Sequence, residues 1–269
     1  MSHVFDAAVA LSALGEDRFS GAPHPAYANM VGPYGGITAA TLLNAVLSHP
    51  QRQGDPISLT VNYAGPIAEG GFEIEARPAR TNRSTQHWNV ALMQQGQIAA
   101  TATAVLATRR ETWSAGEAQP PRDMPAAETL PRSPFLGHPV WTQHYDMRFA
   151  PGESPGPFDA QEQTSSSNRL WVRDDPPRPL DFLSLAAASD CFFPRIFLRR
   201  RALAPIGTVS LTVFFHADTD LLAAQREQHM LGTARALNFR NGYFDQSAEL
   251  WSTSGELLAC SHQLVYYRE

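Results

Sequence analysis

Three polar residues stand inside stretches that are otherwise apolar, and they are the first places to look for chemistry. Asp190 follows Ala186-Ala187-Ala188-Ser189 and precedes Cys191-Phe192-Phe193. A carboxylate in that company is either desolvated, with a raised pKa, or held by hydrogen bonds; the plain alternative is a helix-end Asp turned to solvent. Thr208 opens an apolar strand, Thr208–Phe215, where strict alternation puts it with Ser210 and Thr212, opposite Val209, Leu211 and Val213. Gln263 is flanked by Leu264, Val265 and Tyr266, so its amide needs a buried partner. Taken singly, Thr208 and Gln263 also read as ordinary structural residues. A fourth feature is the pair Gly35-Gly36 after Tyr34, which lets backbone approach a ligand closely or lets a helix enter tightly packed.

The elements that must carry these residues come in two sets. In the first half, apolar residues at helical spacing predict a buried helix from Ile37 to Leu47, stopped by Pro50. Strands are expected at Ser58–Tyr63, Phe72–Thr81, Gln86–Gln94 and Gln97–Arg109, with a hairpin at Gln94-Gln95-Gly96. The second half predicts a strand at Trp141–Phe149, another near Asn168–Val172 and a buried helix over Leu180–Asp190. Strands near Thr208–His216, Met230–Phe239, Tyr243–Thr253 and Glu256–Tyr267 complete it.

The two sets are copies. Ser58-Leu59-Thr60-Val61-Asn62-Tyr63 returns as Ser210-Leu211-Thr212-Val213-Phe214-Phe215, an offset of 152 residues. Gly96-Gln97-Ile98-Ala99-Ala100-Thr101 returns as Gly255-Glu256-Leu257-Leu258-Ala259-Cys260, an offset of 159. That period exceeds the roughly 50 residues of solenoid repeats and suits a whole small domain. Residues 1–111 and 140–269 are the expected domains. Residues 112–139 form a Pro-rich linker that Trp113, Leu130, Phe135 and Leu136 could pin to a surface. An antiparallel sheet with one long apolar helix per copy is best satisfied by wrapping the sheet around the helix. The expected fold is therefore α+β, a tandem hot-dog.

Composition narrows the function classes. The net charge is −5, giving no reason to expect a nucleic-acid partner. The basic run Arg199-Arg200-Arg201 reads as a solvated helix end or loop, or else as an anion contact, for instance to substrate phosphates. No run reaches about 18 apolar residues, so no membrane span is expected. Met1–Ala13 carries Asp6 and lacks the basic start of a secretory signal. Only Cys191 and Cys260 are present, which fits a reducing compartment and a cytoplasmic location. The chain has no G-x-S-x-G elbow, H-E-x-x-H, P-loop or C-x-x-C. Its nine histidines, such as His138 and His144 near the linker, show no ligand spacing. No metal and no cofactor are expected.

Three segments in order resemble the motif blocks of the acyl-CoA thioesterase II family: Ala188-Ser189-Asp190, Gly207–His216, and Leu258-Ala259-Cys260-Ser261-His262-Gln263. Tyr34-Gly35-Gly36 is similar to that family's amino-terminal hot-dog signature, and the likeness runs from about Phe19 to Arg268. The resemblance implies that Asp190, Thr208 and Gln263 hold and activate a water for thioester hydrolysis. It makes acyl-CoA the substrate and Tyr34, Gly35 and Gly36 candidate acyl or oxyanion contacts. The short connection between Asp190 and Thr208 departs from the family pattern and bears on acyl chain length. The physics is compatible: a carboxylate can act as general base, and a helix N-terminus supplies donors for an oxyanion. Counting along the repeat, Asp190 corresponds to Asn44 and Gln263 to Ala104, so one working site per chain is expected. Two other readings stay open. One is a non-hydrolytic acyl-CoA or acyl-carrier binding protein. The other is a hot-dog dehydratase using His24 with Asn29, or His216. Exposed sheet edges and faces predict a homodimer or larger homo-oligomer.

Overall fold

In the computed structural model, residues 2–134 and 139–268 are described. The first half runs α1 (Val4–Ala8), β1 (Ser12–Ala13), β2 (Arg18–Gly21), α2 (Gly35–Leu47), β3 (Asp55–Tyr63), β4 (Phe72–Thr81), β5 (Thr85–Gln94) and β6 (Gln97–Ala107). The second runs β7 (Tyr145–Phe149), β8 (Asn168–Asp174), α3 (Phe182–Ala188), α4 (Arg195–Arg200), β9 (Ile206–Phe215), α5 (Thr219–Gln225), β10 (Met230–Arg235), β11 (Phe239–Arg240), β12 (Tyr243–Trp251) and β13 (Leu257–Tyr267). All thirteen strands join one sheet, in the order β1-β2-β4-β5-β6-β3-β9-β13-β12-β10-β8-β7, with β11 on β12.

The seam between the halves is the repeated segment paired with itself. Thr60 of β3 lies opposite Thr212 of β9, and the two hydroxyls are 3.1 Å apart. These residues are also equivalent in the repeat, so a pseudo-two-fold axis passes through this pair. The flanking ladders obey the same symmetry. Leu59 pairs with Ala104 on β6, and its counterpart Leu211 pairs with Gln263 on β13.

Both helices lie inside the curl of the sheet and pack against each other. Helix α2 is buried over most of its circumference, as its run of Ala, Leu and Val demands. Burying Leu42, Leu43 and Val46 completely stabilises the fold by about 1.5–3 kcal/mol per side chain. A charge at any of them would be expected to abolish folding. Helix α3 is shorter than the predicted Leu180–Asp190. Asp181 caps it by accepting the Ser184 N–H at 2.8 Å, and its end tightens as Asp190 and Cys191 donate to the carbonyls of Ala187 and Ala188, three residues back. That tightening carries Asp190 off the helix and toward α2.

Other expectations shift locally. Val140–His144 is a 3-10 turn, so the strand predicted from Trp141 begins only at Tyr145. The linker segment is held by Trp171 Nε1 donating to the Pro125 carbonyl and by Arg148 donating to that of Ala127. Leu130 is buried there, whereas Trp113 is 88% exposed and pins nothing. Phe135, Leu136 and His138 lie outside the described residues. Arg199 and Arg201 end α4 in ion pairs with Glu162 and Asp159. No described helix is long and apolar enough to cross a membrane.

Candidate active site

Asp190 lies against the start of α2. A Cβ added to Gly35 would come within 2.7 Å of the Asp190 Oδ2 and 3.4 Å of the Tyr63 hydroxyl, so only glycine leaves room for the carboxylate. Gly36 is needed for a different reason. A Cβ there would strike the carbonyl of Ala187, because α2 enters directly against the end of α3. The Gly36 N–H is directed at the Asp190 carboxylate, and α2 has no side-chain cap of its own. The carboxylate therefore meets the positive end of a thirteen-residue helix.

Gln263 supplies the buried partner. Its Nε2 donates to Asp190 Oδ1 at 2.7 Å across 73 residues of sequence. Burial pushes the Asp190 carboxyl up to about 7, against the opposing pull of the Gln263 and Gly36 donors. A carboxylate poised near neutrality is what a general base requires.

Strict alternation misplaces Thr208. The β9–β13 register slips between Leu264 and Val265, so Ser210 lies opposite Leu264 but Thr208 lies opposite Val265. Val265 follows Gln263 by two residues and is buried. The bulge at Val209 therefore turns Thr208 to the face of Gln263 and Leu211, opposite to the face predicted. Thr208 is half-buried there, and among the described residues its hydroxyl bonds to neither Asp190 nor Gln263.

Tyr34 is not an open contact. It is 2% exposed, stacked on Trp141 with ring centroids 4.1 Å apart, and its hydroxyl donates to the Ala187 carbonyl at 2.7 Å. Its role in this geometry is to tie the entry of α2 to α3. Tyr63, absent from the sequence-based set, donates its hydroxyl to the Gly35 carbonyl at 2.8 Å. Burial, with the nearby Asp190 charge, holds that phenol well above its ordinary range. A signal existed: Tyr63 ends the repeated segment where the second copy has Phe215.

The remaining candidates are occupied elsewhere. His24 caps the turn Pro25–Tyr27 by accepting the Ala26 N–H, and His216 lies 3.4 Å from the Cys260 sulfur. His144 packs on the Tyr27 ring. Among the described residues no group of three His, Cys, Asp or Glu could hold a metal.

A doubled hot-dog sheet with an acidic group at the start of one central helix defines the class. Sequence profiles then name the family: the acyl-CoA thioesterase N-terminal domain matches residues 24–107, and the C-terminal domain matches residues 117–267. The chain belongs to the acyl-CoA thioesterase family. Among solved structures, a conserved hot-dog protein of unknown function from Alicyclobacillus acidocaldarius is 47% identical, with a TM-score of 0.94 over 100% of this chain and 99% of that one. The acyl-CoA thioesterase II TesB2 of Mycobacterium marinum is 18% identical, with a TM-score of 0.78 over 98% of each chain. The dehydratase domain of RzxB from Pseudomonas fluorescens shares the fold, at 13% identity and a TM-score of 0.57 over the whole of both chains. No curated protein matches the sequence.

Proposed function

We propose that the chain hydrolyses an acyl-CoA thioester to a free acid and coenzyme A, with Asp190 as general base. The observation that carries this reading is a half-buried carboxylate whose desolvation raises its pKa to about 7, oriented by Gln263 and facing the N-terminus of α2. Asp190 takes a proton from water as its oxygen attacks the thioester carbonyl carbon. The tetrahedral intermediate then breaks its C–S bond, and the departing thiolate recovers the proton. Gln263 fixes the carboxylate, while Thr208 offers a hydroxyl from the neighbouring strand to orient the water. The Gly36 N–H is directed at Asp190, which leaves oxyanion stabilisation to the dipole and the other first-turn amides of α2. No metal or cofactor is required, and one site works per chain.

The test is free-thiol release from a panel of acyl-CoA esters of graded chain length. Wild-type protein should turn over at least one ester, and Asp190→Asn should lose that turnover while keeping the same circular dichroism. Tight binding of CoA esters with no thiol release at any length would assign a binding module instead. Unchanged turnover in Asp190→Asn would remove Asp190 from the mechanism.

A further inference from the structure

Arg195, on the first turn of α4, is fully buried and has no carboxylate partner among the described residues. Its guanidinium is satisfied by neutral oxygens: the carbonyls of Phe193, Ser166 and Ala234, the Asn168 side chain at 2.6 Å and the Gln246 Oε1 at 2.9 Å. Desolvation lowers its pKa to about 9. An unpaired buried cation is costly. Arg195 therefore sits at a point where the fold tolerates a cost, and its surroundings indicate why.

Gln246 is the informative contact. It lies on β12 directly opposite Gln263 on β13, and both amides are buried on the same face. Arg195 reaches Gln246 from the other flank, since it also binds Ala234 of β10 and Asn168 of β8. A guanidinium only donates. It thus claims the oxygen of Gln246 and leaves the positive NH2 end of that amide to face β13. We infer that Arg195 and Gln246 are positioning residues that select the flip of Gln263 in which its NH2 group, not its oxygen, is turned to Asp190. No hydrogen bond joins the two amides among the described residues, so the bias acts through their dipoles as cross-strand neighbours: the NH2 end of Gln246 favours the Gln263 oxygen on its side and leaves the Gln263 donor for the carboxylate. The cation stabilises no anion directly; it sets the polarity of two amides in series.

This inference rests on the role assigned to Asp190, but its test does not depend on turnover. The variants are Gln246→Glu and Gln246→Leu, and the readouts are thermal melting, kcat, KM, the pH profile, and titration of the Asp190 carboxyl by 13C NMR of aspartate-labelled protein, assigned with Asp190→Asn. Gln246→Glu gives Arg195 an anion but presents only acceptor oxygens to Gln263. Melting should hold or rise, kcat should fall by about tenfold to a hundredfold with KM nearly unchanged, and the Asp190 titration should move upward. A merely structural role for the pair predicts the reverse, a protein at least as stable and fully active. Gln246→Leu separates orientation from added charge, and it decides the matter should Gln246→Glu fail to fold. It too should raise the Asp190 titration and lower kcat. An Asp190 carboxyl that titrates in Gln246→Leu as in wild type would overturn the inference, even in a protein found to hydrolyse no thioester.

Discussion

The pseudo-two-fold axis relates the start of α2 to the start of α3, yet the two ends are furnished in opposite ways. At α2 the entry is Gly35-Gly36, the nearby ring is Tyr63 with its hydroxyl on the Gly35 carbonyl, and the adjoining space holds Asp190. At α3 the ring equivalent to Tyr63 is Phe215, packed edge-on against Phe182 at 5.8 Å, and the helix is capped by its own Asp181. Gln263 corresponds to Ala104, and Thr208 corresponds to Pro56, which sits beside the same bulge in the β3–β6 ladder. Asn44, the counterpart of Asp190 along the sequence, donates to the Val9 carbonyl at 2.8 Å and accepts from Ser48. One copy thus keeps a desolvated acid with its partners, and the other fills the same framework with apolar side chains. The difference teaches that the repeat supplies a scaffold with two potential sites, of which only one carries the polar set.

The comparison can be broken most sharply at Asp190. Asp190→Asn, which installs the first copy's residue, should lower kcat by about a thousandfold, within the range of general-base catalysis, as measured by free-thiol release. The same variant should be more stable than wild type at pH 8. A buried carboxyl titrating near 7 rather than at its ordinary 3.8 destabilises the fold wherever it is ionised. That cost is complete above pH 7, declines by about 1.4 kcal/mol per pH unit between 7 and 4, and is absent below. Asp174, buried and pushed up to about 6, adds a similar trend between 6 and 4. Melting curves across pH should therefore converge for wild type and Asp190→Asn on acidification.

Gln263→Ala, the second substitution toward the first copy, should reduce kcat by about a hundredfold. It should also move the acid limb of the pH–rate profile above 7, since a donor to the ionised form is lost. In wild type that limb should lie near 7, with activity rising as Asp190 deprotonates. The other titratable groups around it, Tyr34, Tyr63, Tyr145 and Cys191, are all held above their ordinary values by burial and do not titrate there.

Tyr63→Phe copies Phe215 and removes one hydrogen bond to the backbone of the glycine turn. A fall in kcat of about fivefold is expected, with a stability loss of about 1 kcal/mol by chemical denaturation. The reciprocal change, Ala104→Gln, should create no activity in an Asp190→Asn background. It buries an amide with no partner and should cost about 1–3 kcal/mol. Recovery of turnover there would show that the first-copy site retains more than its residues suggest.

Much of this was legible along the chain because duplication leaves a mark that survives without coordinates. The offsets of 152 and 159 reappear as strand register, Thr60 against Thr212 and Leu59–Ala104 against Leu211–Gln263. Asp190 and Gln263 stood out because a polar group amid apolar neighbours needs a partner, and each proved to be the other's. Thr208 was assigned to the wrong face because alternation counts residues, and one bulge residue reverses the count. Helix α4 was missed because six residues after Pro194 show no periodicity.

By itself the sequence determined the two-copy plan, the main strands of each copy, the two buried helices and which copy holds the acid, since composition and spacing are local properties of the chain. Only the tertiary structure decided that Tyr63 joins the site, that Thr208 turns inward, that the Gly36 N–H is directed at Asp190 and that Arg195 stands behind Gln246. Each of those depends on backbone from distant segments meeting at a given register and angle, and hydrogen-bond direction exists only once that meeting has occurred.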